Sequence, residues 1–144
     1  MEPSVVKKLV ALNTEVLIET GAGDPAGFKD ADFVEAAFKD KATLETEADI
    51  LLRVQIPNSE EIDAIKEGTV LIGTLTPFKN PELIAKLRDK KITSFAMELI
   101  PRISRAQAMD VLSSQAAVAG YKAAIMGADL SCRFFPMLTT AAGT

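Results

Sequence analysis

Residues 49–97 read DILLRVQIPNSEEIDAIKEGTVLIGTLTPFKNPELIAKLRDKKITSFAM, and this stretch decides the fold. Three short runs, 49–55 (DILLRVQ), 69–74 (TVLIGT) and 92–97 (ITSFAM), are rich in the apolar and β-branched residues that strands favour. Pro57 stops the first and Pro77 the second. Between them lie two helix starts. In Ser59-Glu60-Glu61-Ile62 the acidic pair suits the positive N-terminal end of a helix. Asn80-Pro81-Glu82 opens the other, whose buried face is Leu83, Ile84 and Leu87 and whose end carries Lys86, Arg88, Lys90 and Lys91. Strands separated by helices at this spacing make β-α-β units and hence parallel pairing. The expected fold class is α/β: a three-layer, Rossmann-like open sheet, mostly parallel, with helices on both faces.

The flanks extend the same alternation. Pro3 suits a first helical turn, and Val5, Leu9 and Leu12, with Val6 and Val10 beside them, form an apolar stripe. A β-branched run at 15–20 (EVLIET) stops at Gly21. Residues 30–38 (DADFVEAAF) read as a short helix with Asp30 as N-cap and Phe33, Ala37 and Phe38 inward. A long helix is expected across much of 109–127. Its apolar stretch, 111–128, contains Ser113, Ser114, Gln115, Gly120 and Lys122, which suits a buried or half-buried helix better than a bilayer span. There is no internal repeat, low-complexity tract or linker, so residues 1–144 read as a single α/β domain. The last stretch, 134–144 (FFPMLTTAAGT), is apolar and then small, as expected of a segment that packs on further structure.

Composition removes several classes of function. The 144 residues are 48% hydrophobic and 25% charged, the balance of an ordered globular chain. Sixteen basic residues against twenty acidic ones leave a net charge of −4, unsuited to general nucleic-acid binding. Histidine is absent, which removes Ser-His-Asp and Cys-His catalysis and histidine-ligated zinc. The lone Cys132 cannot form an internal disulfide, and fits a reducing compartment. The start Met1-Glu2-Pro3-Ser4 lacks the basic-then-apolar pattern of a signal peptide, and no direct membrane insertion is expected.

Four constellations carry chemistry worth weighing. Gly21-Ala22-Gly23-Asp24-Pro25-Ala26 formally matches a phosphate-binding turn. However, Pro25 stiffens it, no helix follows at once, and the next strand ends in Gln55 rather than an acidic ribose ligand. A plain Gly-rich loop is the stronger reading. Cys132 beside Arg133 invites a lowered thiol pKa, but without a histidine base it reads as a small side chain. Glu45, Glu47, Asp49, Glu60, Glu61 and Asp63 lack calcium-loop spacing and read as solvated faces and helix starts, so no metal site is expected. The segment 98–110 (ELIPRISRAQAMD) is different. It begins where a strand ends, the place where open α/β sheets bind ligands. Pro101 restricts the backbone, Arg102 offers a fork of donors for a carboxylate or carboxamide oxygen, Gln107 offers donor and acceptor, and Asp110 suits orienting either one. A surface loop tied by an Arg–Asp pair is the competing reading.

This segment resembles one family. Residues 96–107 (AMELIPRISRAQ) followed by 109–115 (MDVLSSQ) are similar to the signature of the NAD(H)-binding component, domain I of the α subunit, of proton-translocating NAD(P) transhydrogenase. So are 119–122 (AGYK) and 135–144 (FPMLTTAAGT), with weaker matches at 5–9, at 21–23 and at Val54-Gln55. The resemblance spans essentially the whole chain. It implies hydride transfer between NAD(H) and NADP(H), coupled to proton movement. Arg102, Gln107 and Asp110 would serve as catalytic and cofactor-binding residues at the nicotinamide, with Ser113 lining the same pocket. It implies NAD(H) as cofactor of a complete subunit, and NADP(H) on a partner component. It further implies a membrane component as partner, a homodimer of the complete subunit, and a cytoplasmic location peripheral to the inner membrane through those partners. In this family a Rossmann domain with the glycine fingerprint follows, so the chain resembles an incomplete, N-terminal subdomain with no tightly bound nucleotide of its own. Alanine dehydrogenase shares the fold, but its keto-acid site uses a lysine and a histidine, whereas the second-strand exit here has Gln55 and histidine is absent. The remaining alternative is a non-catalytic structural or dimerising domain.

Overall fold

All three strand runs of the 49–97 stretch form strands. The computed structural model describes residues 2–133, so the expectation for 134–144 lies outside the described residues. β3 (Ile50–Leu52), β4 (Val70–Gly73) and β5 (Thr93–Ala96) make a parallel three-stranded sheet in the order β3-β4-β5. Helix α3 (Ser59–Ala64) joins the first pair, and α4 (Pro81–Asp89) joins the second. Leu71 at the centre of β4 is fully buried and packs with Ile62 and Ile65, with Leu87 and Ile92, and with Leu75. Leu51, Leu83, Ile84 and Ala96 close around this core. Leu52, Ile72 and Phe95 stand in register across the three strands on the other face, where Leu52 and Phe95 are half-exposed.

A second, smaller sheet precedes it. Helix α1 (Pro3–Val10) leads to β1 (Leu17–Glu19), which pairs in parallel with β2 (Ala37–Lys39). Their core is Val6, Val16 and Phe33, with Phe33 edge-on to Phe28 and Phe38 at ring distances of 6.1 and 6.3 Å. The expected open parallel α/β architecture is therefore present, with its strands divided between two sheets. The helix expected over 30–38 is not. Asp30–Asp32 is a single 3₁₀ turn, after which the chain extends into β2. Phe33 and Phe38 reach a common aromatic cluster from this extended path, and pairing with β1 satisfies the backbone. A helix the sequence reading missed, α2 (Lys41–Glu47), follows directly, capped by Asp40, whose carboxylate accepts from the Thr43 amide at 2.8 Å. The α3 cap lies one residue earlier than Ser59. Asn58 accepts from the Glu61 amide at 2.9 Å while Glu61 accepts from the Asn58 amide at 2.8 Å, a reciprocal capping box.

Contacts divide the chain into two units, Met1–Ala96 and Met97–Thr144. The second unit begins with a 3₁₀ turn, Met97–Leu99, continues through a longer one, Ser104–Met109, and enters α5 (Val111–Leu130). The sequence predicts a buried or half-buried helix for α5. Instead, its side chains from Leu112 to Leu130 are exposed, Tyr121 by 73% and Leu130 by 76%. Hydropathy marks surface that gains from burial but does not supply what covers it. No described helix is long and apolar enough to cross a membrane.

Ionic ties hold the first unit's helices against its larger sheet. Arg53, one residue past β3, reaches Glu45 of α2 at 3.3 Å and Glu61 of α3 at 3.0 Å. Lys41 also bonds Glu61. Glu45 is buried, so this carboxylate is a partnered core group and not the solvated one the sequence predicts. Lys90, beyond the end of α4, donates to the Ile62 and Ile65 carbonyls at 2.9 and 2.7 Å and so caps α3 instead of its own helix. The backbone at Gly73 is equally constrained. A Cβ there would lie 2.3 Å from the Arg53 carbonyl oxygen.

Two expectations follow. Gly73→Ala forces β3 and β4 apart at their exits and lowers unfolding free energy by about 2–4 kcal/mol in urea titrations. The Glu61 carboxyl is held down to about 2 from its ordinary 4.5, chiefly by the Lys41 hydrogen bond, then by Arg53 and the Asn58 amide, against partial burial. A carboxylate with a depressed folded pKa stabilises above its unfolded value and loses that contribution as pH falls through the folded one. Urea midpoints of the native chain therefore decline as pH drops from 4.5 to about 2, and Glu61→Gln flattens that part of the profile.

Candidate functional site

The second unit brings the sequence-predicted polar residues together. Pro101 precedes Arg102, and the 3₁₀ turn Ser104–Met109 then coils the loop so that Ala106 is buried as its anchor. The coil turns Arg102, Ile103, Ser104, Gln107 and Asp110 around one hollow of about 210 Å³. Four residues separate Arg102 from Gln107, and the tight turn sets both on one rim. Among the described residues, no side-chain hydrogen bond or ion pair engages the Arg102 guanidinium or the Gln107 amide. Both are exposed and line the hollow.

Asp110 has a task that the sequence reading did not assign. It is the N-cap of α5. Its Oδ1 accepts from the Ser113 amide at 2.9 Å and its Oδ2 accepts from the Ser113 hydroxyl at 2.6 Å. The Asp110 carboxyl is held below its ordinary range by these Ser113 bonds first, with Arg102 adding a smaller electrostatic pull in the same direction. Asp110 and Arg102 are thus within electrostatic reach, yet no ion pair closes between them among the described residues, contrary to the surface-tie reading. Ser113 is bonded to Asp110 but does not itself line the hollow, where the sequence expectation put it. The signal for this cap is the Asp-x-x-Ser spacing at the head of a helix-forming run.

The other constellations behave as structural groups. After β1, the Gly21 amide donates to the Asp30 carboxylate at 3.0 Å, so the chain's own anion occupies the donor a phosphate would need. Asp49 pairs with Lys66 at 2.8 Å and Asp63 with Lys86 at 2.6 Å, and no cluster of metal-ligating residues occurs among the described residues. Cys132 is exposed and free.

The family profile described as "Alanine dehydrogenase/PNT, N-terminal domain" matches residues 1–119. The chain belongs to this family. It is 45% identical over 152 aligned positions to an NAD(P) transhydrogenase subunit alpha polypeptide of Rhodospirillum rubrum, covering 100% of this chain and 40% of that protein. The solved transhydrogenase structure from Sinorhizobium meliloti superposes with a TM-score of 0.90 at 42% identity, covering 99% of this chain and 43% of that one. Alanine dehydrogenase of Bacillus subtilis is more distant, 32% identical over 130 positions, covering 89% of this chain and 34% of that enzyme. The chain thus spans well under half the length of these relatives.

Loss of the Asp110 cap is a direct test of the site's construction. Asp110→Ala costs about 1 kcal/mol at the head of α5, so exchange of the Ser113 amide quickens about fivefold by NMR hydrogen exchange, while Asp110→Asn largely preserves protection.

Proposed function

We propose that this chain supplies the loop that positions the NAD(H) nicotinamide in an NAD(P) transhydrogenase α subunit. The observation that carries the reading is the convergence of Arg102, Gln107 and Asp110 on one hollow at the head of α5. A nicotinamide presents a carboxamide, with one acceptor oxygen and two N–H donors. The donor set of the hollow fits it. Arg102 only donates, Gln107 both donates and accepts, and Asp110 only accepts. Arg102 takes the carboxamide oxygen, Gln107 pairs with the amide, and Asp110 keeps Ser113 and the loop in place from the α5 cap. The dinucleotide, when bound, supplies or takes the hydride; these side chains fix the angle of its ring and exclude water from the face on which transfer occurs.

The stronger likeness to transhydrogenase subunits than to alanine dehydrogenase supports this assignment. So does the absence of histidine, since keto-acid reduction calls for a proton donor that this chain does not offer in that form. The hydride partner is NADP(H) on a separate component. A membrane component completes the proton-translocating assembly, the full subunit pairs as a homodimer, and the chain sits on the cytoplasmic side, peripheral to the inner membrane through those partners. Most of the cofactor's contacts belong to the remainder of such a subunit, so the isolated chain holds little NAD(H).

Arg102→Ala in a complete α subunit separates orientation from affinity. Transfer to NADP(H), followed by stopped flow, slows about 30-fold or more, whereas the NADH dissociation constant shifts less than about threefold, because the lost contact orients more than it binds. An unchanged transfer rate would remove Arg102 from the site.

A further inference from the structure

The exits of β3 and β4 enclose a second hollow, of about 250 Å³, lined by Gln55, Ile56, Thr74 and Thr76. Because the two strands are parallel, both chains leave the sheet on the same edge, where open α/β sheets take ligands. The edge is built with effort. The Thr74 hydroxyl donates to the Val54 carbonyl and ties the two exits together. Thr76 adopts φ +42°, a left-handed conformation disfavoured for a β-branched residue and again for one that precedes a proline. Asn80 holds it there. Its side-chain amide donates to the Thr76 hydroxyl oxygen at 2.7 Å and to the Thr76 carbonyl at 3.1 Å. Backbone strain kept in place by dedicated hydrogen bonds is characteristic of binding edges.

We propose that this mouth is a binding subsite for an uncharged primary carboxamide. None of the four lining side chains carries a charge, and the basic residue closest in sequence, Arg53, is committed to Glu45 and Glu61. An anion seated here would lose hydration without a counter-charge. Gln55 offers one acceptor and two donors, the complement of a primary amide, which pairs with it reciprocally. With its proton given to Val54, the Thr74 oxygen accepts, and Ile56 supplies an apolar wall for the group that bears the amide. The proposal goes beyond the transhydrogenase reading and uses none of the residues of the 102–110 loop.

The test is a ¹⁵N-labelled titration of the 144-residue chain with nicotinamide and, separately, with nicotinate, the same ring bearing a carboxylate. Nicotinamide is expected to shift the Gln55 side-chain amide and the Thr74 and Thr76 backbone amides. A ligand of this size should saturate with a dissociation constant on the order of 10 mM or below. Nicotinate should bind at least about tenfold more weakly, and Gln55→Ala should lose about tenfold in nicotinamide affinity, the worth of one hydrogen bond. Gln55→Glu, which keeps the shape and adds a charge, should lose it too while retaining the native spectrum elsewhere. Equal binding of nicotinate, unchanged affinity in Gln55→Ala, or no shift at Gln55 would overturn the subsite. Shifts confined to the 102–110 loop would overturn it while leaving the nicotinamide-loop reading intact. Shifts at Gln55 with a silent loop would uphold the subsite, and the loop reading would then stand or fall on the Arg102→Ala measurement in a complete subunit.

Discussion

The guanidinium of Arg53, set between the carboxylates of Glu45 and Glu61, is the interaction on which the first unit's assembly turns. Three elements meet at this residue. Its side chain reaches α2 and α3, its amide donates to the Ile72 carbonyl of β4 at 2.9 Å, and its own carbonyl lies against Gly73 so closely that no side chain fits there. With Lys41 on Glu61 the group holds two positive and two negative charges. Arg53 and its two carboxylates are substantially removed from water, the Glu45 side chain being 8% and Arg53 21% exposed, while Lys41 is half-exposed. Desolvation makes such a cluster a modest source of net stability but a strict geometric requirement, because removing one member strands another's charge. It therefore specifies where the two helices sit on the sheet more than it adds to folding free energy.

The larger sheet was legible because each of its strands is a short apolar run bounded by proline or by a helix start, and because their partners are separated by single helices. Leu71, Ile62 and Leu87 are core residues in both the pattern and the structure. The region between residues 30 and 48 was not legible for a physical reason. DADFVEAAF has helical spacing and helix formers, yet Phe33 and Phe38 satisfy an aromatic cluster from an extended path, and β1 offers a backbone partner that no local signal announces. Long-range pairing outweighs local propensity in such short segments. Helix α2 was hidden by the same misreading, although Asp40 and Thr43 carry its cap in plain view.

At the candidate site, residue chemistry was readable and residue geometry was not. The guanidinium, amide and carboxylate of Arg102, Gln107 and Asp110 stand out in a segment that follows a strand. Their convergence depends on a 3₁₀ coil anchored by Ala106, and 3₁₀ geometry leaves little trace in sequence. The double engagement of Asp110 by Ser113 is likewise faint in sequence, because a carboxylate in this segment has the chemistry both to pair with an arginine and to start a helix.

That double engagement shapes what the loop contributes. With both carboxylate oxygens bonded to Ser113, Asp110 is held by the first turn of the helix, and its charge is part of the rim. Arg102 feels this charge without being captured by it, since no ion pair closes between them among the described residues. A guanidinium so placed is biased in direction and retains its donors. An ion-paired arginine would have to surrender a partner before binding anything, at a cost in both energy and time. The loop thus has a rigid half, Asp110 with Ser113 on the first turn of α5, and a responsive half, Arg102 with Gln107. This division suits a site whose task is to set the angle of a ring. In the proposed role, the rigid half would define the frame against which a nicotinamide ring is oriented, and the responsive half would supply the hydrogen bonds that hold it there.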